Sequence, residues 1–156
     1  MVFAVFFSGY LSAAKIQGKV VRVLDGDTIE IKTLADSIPI YETPVRIRLL
    51  NIDAPEKKQP FGRWSTNQLK ELIAGQLVTV TYTQKDRYGR VLGRVVTTNG
   101  IEANSYMVEN GAAWVYDQYN TDSSLPALQR RAKEQKHGLW ADSNPVPPWE
   151  WRHSNK

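Results

Sequence analysis

Val78-Thr79-Val80-Thr81-Tyr82-Thr83 places a β-branched residue at five of six positions, with threonines alternating against Val78, Val80 and Tyr82. A period of two in such residues is the signature of a half-buried strand. Working outward, Val91 to Thr97 reads as the next strand, followed by the tight-turn pair Asn99-Gly100. Towards the N-terminus, Val45, Ile47 and Leu49 alternate with Arg46 and Arg48, and Ile29 and Ile31 alternate with Glu30 and Lys32. Lys19 to Val23 forms a further strand and ends at the turn Asp25-Gly26-Asp27. Leu34 to Pro44 reads as a long loop broken by Pro39 and Pro44.

Helical periodicity is rarer. Ser65, Leu69, Leu72 and Ile73 mark one helix from Gly62 to Ala74, with Gly75 as its stop. Glu102 to Asn110 reads as a short helix ended by Gly111. A third carries the stripe Leu125, Leu128 and Ala132, capped by Ser123 or Ser124 and ended by Gly138. His137 would then sit in its last turn, where the helix dipole accounts for it. The prolines Pro145, Pro147 and Pro148 speak against a regular element in the tail, which is expected to lie across the domain through Trp149 and Trp151. Five strands with one helix between the third and fourth predict an α+β fold, a five-stranded Greek-key barrel of the OB type with about three helices.

The chain has 156 residues, room for one domain with a real core. With 42% hydrophobic and 23% charged residues it is globular in composition. Cys is 0 and His is 2, which excludes disulfide scaffolds, thiolate zinc sites, cysteine nucleophiles and a multi-histidine metal centre within one chain. The net charge is +4, but Lys57 to Arg94 alone holds eight basic residues against Glu71 and Asp86. That asymmetry points to an anionic partner. Residues 1–14 carry no charge, and Ser12 and Ala14 fit a signal-peptidase site. The division expected is therefore an export leader over 1–14, a barrel domain over 15–142 and a Pro/Trp-rich tail over 143–156. The mature chain is expected to be secreted or periplasmic, monomeric and without stable membrane association.

The acids gather after strand ends: Asp25 and Asp27 after the first, Asp53 and Glu56 after the third. Arg48 precedes Asp53 on the same strand, and Arg90 closes Asp86-Arg87-Tyr88-Gly89-Arg90. Carboxylates beside guanidiniums suit phosphodiester hydrolysis. Carboxylates offer hard oxygens to a divalent cation and can activate a water. Guanidiniums grip phosphate oxygens and neutralise charge that builds in the transition state.

Three segments, in order, resemble the staphylococcal nuclease (thermonuclease) family: Val23-Leu24-Asp25-Gly26-Asp27-Thr28, Arg48-Leu49-Leu50-Asn51-Ile52-Asp53-Ala54-Pro55-Glu56, and Asp86-Arg87-Tyr88-Gly89-Arg90. The resemblance runs from about Gly18 to Trp140. It implies that Asp27, Asp53 and the main-chain carbonyl of Ala54 ligate Ca2+, and that Glu56 acts on the attacking water. It implies that Arg48 contacts the phosphate and that Arg90 stabilises the transition state near the leaving 5′-oxygen. Arg87 and Tyr88 match positions flanking the bound nucleotide, and Tyr116 and Tyr119 fall near its stacking tyrosines. Trp64, Trp114 and Trp140 are expected to pack rather than stack on bases.

Two departures stand out. The loop between Asp27 and Arg48 is longer than in the type member, and the segment after Glu56 is shorter. The function implied is a calcium-dependent nuclease that acts on DNA and RNA, single-stranded or frayed, and leaves 3′-phosphate and 5′-hydroxyl ends. The alternative is a catalytically silent OB-fold module that binds single-stranded nucleic acid.

Overall fold

The computed structural model describes residues 13–34 and 43–155. The leader reading falls almost wholly on residues outside these, as does the centre of the loop before Pro44.

Among the described residues, five strands close a barrel of the expected OB type. They are β1 (Ala14–Asp25), β2 (Thr28–Thr33), β3 (Val45–Leu49), β5 (Leu77–Lys85) and β6 (Val91–Thr97). Closure comes from the length of β1, which pairs with β2 through Gly18–Asp25 and with β5 through Ala14–Lys19. All pairings in the barrel are antiparallel except β3 with β6, which is parallel from Ile47↔Val91 to Leu49↔Gly93. Two register shifts in β1, at Val20/Arg22 and Val23/Asp25, turn its end over the barrel rim and deliver the Asp25-Gly26-Asp27 turn there.

The alternation in the sequence is the reason the barrel fills. Ile29, Ile31, Ile47, Leu49, Val80 and Val95 all face inward and are fully buried. Helix α1 (Gly62–Ile73) buries Leu69 and Ile73 against them. Its chain enters at Phe61 in a left-handed conformation and leaves through Gly75. A short strand β4 (Ile52–Asp53) follows β3 and pairs with β7 (Trp114–Val115), an exchange too brief for periodicity to reveal.

Helix α2 (Ala103–Glu109) is tied to the barrel by Asn104, which is 1% exposed. Its Oδ1 accepts from Val95 N at 3.0 Å, and its Nδ2 donates to the carbonyls of Leu50 (2.9 Å) and Gly93 (3.1 Å). Asn104→Ala would leave these buried groups short of partners and is expected to cost about 3 kcal/mol in urea unfolding. An unchanged midpoint would show that water replaces the amide.

The third helix, α3 (Leu125–Glu134), is shorter than expected. It stops because Lys136 turns left-handed at φ 52°, so His137 lies beyond the helix and precedes a 3-10 turn at Gly138–Ala141. The dipole explanation for His137 therefore fails. Asp122 serves the start of α3, its Oδ1 accepting from Ser124 N at 2.9 Å. The tail is also more regular than its prolines suggested: Pro148–Ser154 forms helix α4. Pro148 stands at its start, where a missing N–H costs nothing.

Trp114 and Trp140 are buried, in edge contact at 4.4 Å, as expected of packing residues. Trp149 joins them at 5.7 Å from Trp114, so the tail does lie on the domain through a tryptophan.

Candidate active site

The rim of the barrel gathers the acids from two turns. The β1–β2 turn supplies Asp25 and Asp27, and the chain leaving β3 supplies Asp53 and Glu56. Thr28 pairs with Arg48 across β2 and β3, which sets the two turns side by side. Gly26 is needed at this junction, since a Cβ there would overlap Ser65 Oγ and stand 2.8 Å from Ala54 Cβ.

Arg48 organises the turn that follows it. Its Nη1 donates to the carbonyls of Leu49 (2.9 Å) and Ile52 (2.7 Å). Its Nη2 lies 3.3 Å from Asp53 Oδ1 and 3.4 Å from Asp27 Oδ2. Asn51, at φ 71°, lets the chain reverse between these carbonyls; Asn tolerates this left-handed conformation better than most residues. Asn51 Oδ1 accepts from Thr121 N at 2.9 Å, and its carbonyl accepts from Tyr116 N at 2.8 Å.

Asp27 and Asp53 are 5% and 1% exposed. Asp27 Oδ2 accepts from Ala54 N at 2.7 Å and its Oδ1 from Thr28 Oγ1 at 2.9 Å. Burial works to raise the Asp27 carboxyl, but the Arg48 charge and these hydrogen bonds outweigh it and hold it below its ordinary value. Burial pushes Asp25 up to about 8, helped by the Asp27 charge beside it. Burial likewise pushes Asp53 up to about 6, against hydrogen bonds from Arg152.

Sequence reasoning missed Arg152. From α4 it donates Nη2 to Asp53 Oδ2 at 2.7 Å, and Nη1 to Asp53 Oδ1 at 3.1 Å and to Glu56 Oε1 at 2.8 Å. Glu56 is held from its other side by Gln59, which accepts from Glu56 N at 3.2 Å.

Arg90 is not among these contacts. Asp86 holds it, with Nε to Oδ2 at 2.6 Å, at the start of β6. Arg87 and Arg90 both lie against the Tyr88 ring, at 4.9 and 5.4 Å, and that ring is 68% exposed. This makes a second cluster, cationic and aromatic. Tyr116 and Tyr119 meet edge to face at 4.8 Å, while one face of Tyr116 is already covered by Trp149, stacked at 5.3 Å and 6°.

Among the described residues no three His, Asp or Glu side chains converge as a ready-made metal cage. The oxygens gathered here are nevertheless of the type that could hold a hard cation. Among the described residues, the ion pairs of Asp27, Asp53 and Glu56 are with Arg48 and Arg152, three carboxylates against two guanidiniums, and a divalent cation would offset the excess. The Ala54 N–H donates to Asp27 Oδ2, which sets the Ala54 main chain beside that carboxylate.

A family model described as "Staphylococcal nuclease homologue" matches residues 46–142. An Escherichia coli protein described as "Uncharacterized endonuclease" is 60% identical over 147 residues, covering 94% of this chain and 92% of that one. "Micrococcal nuclease" of Shigella flexneri is 39% identical over 153 residues, covering 92% and 84%. An "Uncharacterized endonuclease" of Haemophilus influenzae is 38% identical over 138 residues, covering 88% and 74%.

Proposed function

The chain belongs to the staphylococcal nuclease homologue family, and from that premise we propose that it is a calcium-dependent nuclease that hydrolyses DNA and RNA with little regard for sequence or sugar. The single observation that carries this reading is Arg48, which bridges the buried carboxylates of Asp27 and Asp53 while its other nitrogen is pinned by two carbonyls. A guanidinium fixed in that way keeps its positive charge at one place on the rim, where a cation taking over its carboxylate contacts would free Nη2 for a phosphate.

Asp27, Asp53 and the Ala54 carbonyl would hold the cation. When bound, it would supply Lewis-acid polarisation of a phosphoryl oxygen. The chain's own residues do the rest. Arg48 neutralises charge on the phosphate. Glu56, half-exposed at the mouth, orients the attacking water and accepts its proton. Arg90 is assigned to the leaving 5′-oxygen: it stands just before Val91, whose strand pairs with β3 beside Arg48, and it would exchange Asp86 for that oxygen. The leaving 5′-oxygen takes its proton from solvent, and the products are 3′-phosphate and 5′-hydroxyl ends.

An exposed Tyr88 flanked by two guanidiniums suits a base stacked beside its phosphate, and stacking tolerates any base. The exposed Tyr119, with Tyr116 beside it, would serve the neighbouring nucleotide. Lys57, Lys58 and Arg63 line an open cleft next to Glu56 and would carry the strand's backbone. Single-stranded or frayed nucleic acid is therefore the substrate of this monomeric enzyme. The uncharged residues 1–14 support export of the chain.

The test is incubation of denatured DNA and of RNA with the protein in calcium, with end-group analysis of the fragments. Cleavage of both with 3′-phosphate ends is expected. A shift of intact DNA in a gel without fragments would instead identify a silent binding module.

A further inference from the structure

We propose that Arg152 is a further substrate-contacting residue of this site, which holds Asp53 and Glu56 with three of its N–H groups and meets a phosphate oxygen of the strand with those that remain. The inference rests on the nuclease reading above and extends it to the C-terminal helix.

The placement of α4 is firm. Pro148 is buried, Trp149 is stacked on Tyr116 and edged by Trp114, and Gln59 Nε2 donates to the Val146 carbonyl at 2.6 Å. These contacts anchor α4 both to the end of β7 and to the loop that carries Glu56. Arg152 follows Trp149 by three residues, so the two share one helix face. Fixing the ring therefore aims the guanidinium at the carboxylates.

The donor count leaves Arg152 capacity to spare. A guanidinium has five N–H groups. Asp53 and Glu56 take both on Nη1 and one on Nη2, which leaves Nε–H and the second Nη2–H. The side chain is 40% exposed, and no protein acceptor is shown on that edge among the described residues, so an incoming anion can be met there. Arg48, at 12%, is more enclosed and spends Nη1 on its own turn, and Arg90 is bound to Asp86. The contact with Glu56 is half-exposed and adds little to stability, Asp53 keeps Arg48 when Arg152 is removed, and the tryptophan contacts hold the helix down. What Arg152 adds at this position is positive charge and a planar fork beside the reacting phosphate.

The test uses the full-length protein, calcium and a fluorescent single-stranded oligothymidylate with phosphorothioate linkages, titrated by anisotropy over a range of salt. Arg152→Ala is expected to bind about tenfold more weakly. The plot of log affinity against log salt should become shallower by about 0.7, as for one lost phosphate contact on a single strand. The variant should remain folded and melt cooperatively, since Asp53 keeps Arg48 and the tryptophans keep the helix in place. Equal affinity with equal slope would overturn the proposal, and so would tighter binding, which would show Arg152 blocking the site. Should Arg152→Ala not fold, Arg152→Lys decides. It keeps the charge and loses the fork, so several-fold weaker binding is expected and unchanged affinity overturns the proposal. If the unmodified protein itself binds no strand, the nuclease reading falls too; if it binds and the variants match it, only the role of Arg152 falls.

Discussion

Arg48→Ala is expected to lower turnover on denatured DNA by about a hundredfold or more, the usual consequence of losing a fixed donor to a developing oxyanion. Two losses combine. The phosphate loses its enclosed guanidinium, and the Leu49 and Ile52 carbonyls lose the Nη1 that joins them at 2.9 and 2.7 Å. The fold should survive, because Ile47 and Leu49 keep their buried places and the β2–β3 ladder runs through the main chain at position 48. Arg48→Lys should recover little. One ammonium carries the charge but cannot span two carbonyls and two carboxylates in a plane. Initial rates beside thermal melts check this. A folded alanine variant within a few-fold of normal turnover would remove Arg48 from the chemistry.

Asp53→Asn is expected to be the more severe change, with cleavage down by about a thousandfold or more, the scale of a lost Lewis acid worth several kcal/mol. Asn keeps the shape of the side chain and removes the anionic oxygen that a hard cation requires. Asp53 also receives Arg48 on one oxygen and Arg152 on both, so the charge network around it loses its hub. Calorimetric titration with calcium should show binding by the unmodified protein and none by the variant. Cleavage together with calcium binding in Asp53→Asn would place the ion elsewhere.

The barrel was legible because its strands alternate cleanly. Ile29/Ile31 and Val45/Ile47/Leu49 carry their apolar sets on one face, and a closed five-stranded sheet is one way to bury them all. The acidic turns were legible for a related reason: Asp27 and Asp53 follow strand ends that β2 and β3 bring side by side. What stayed hidden was either strained or distant. Lys136 adopts a left-handed conformation that its side chain does not advertise, and that placed His137 outside a helix. Arg152 meets Asp53 across 99 residues of chain, and such an ion pair leaves no periodic trace. The available signal was Pro147-Pro148-Trp149, since proline opens helices as readily as it breaks them, and the Trp149-to-Arg152 spacing puts both on one face. The separation of Arg90 from the acids was hidden as well, because Asp86 claims it inside the same motif.

The carboxylates at the rim matter to cleavage only if they hold a cation that the reaction requires. The most direct measurement strips the full-length protein of metal with a chelator, mixes it with denatured DNA and then adds calcium in excess. Silence before the addition and fragments after it are the predicted result. Undiminished cleavage in chelator, or a calcium-loaded crystal with the ion bound away from Asp27 and Asp53, would contradict it.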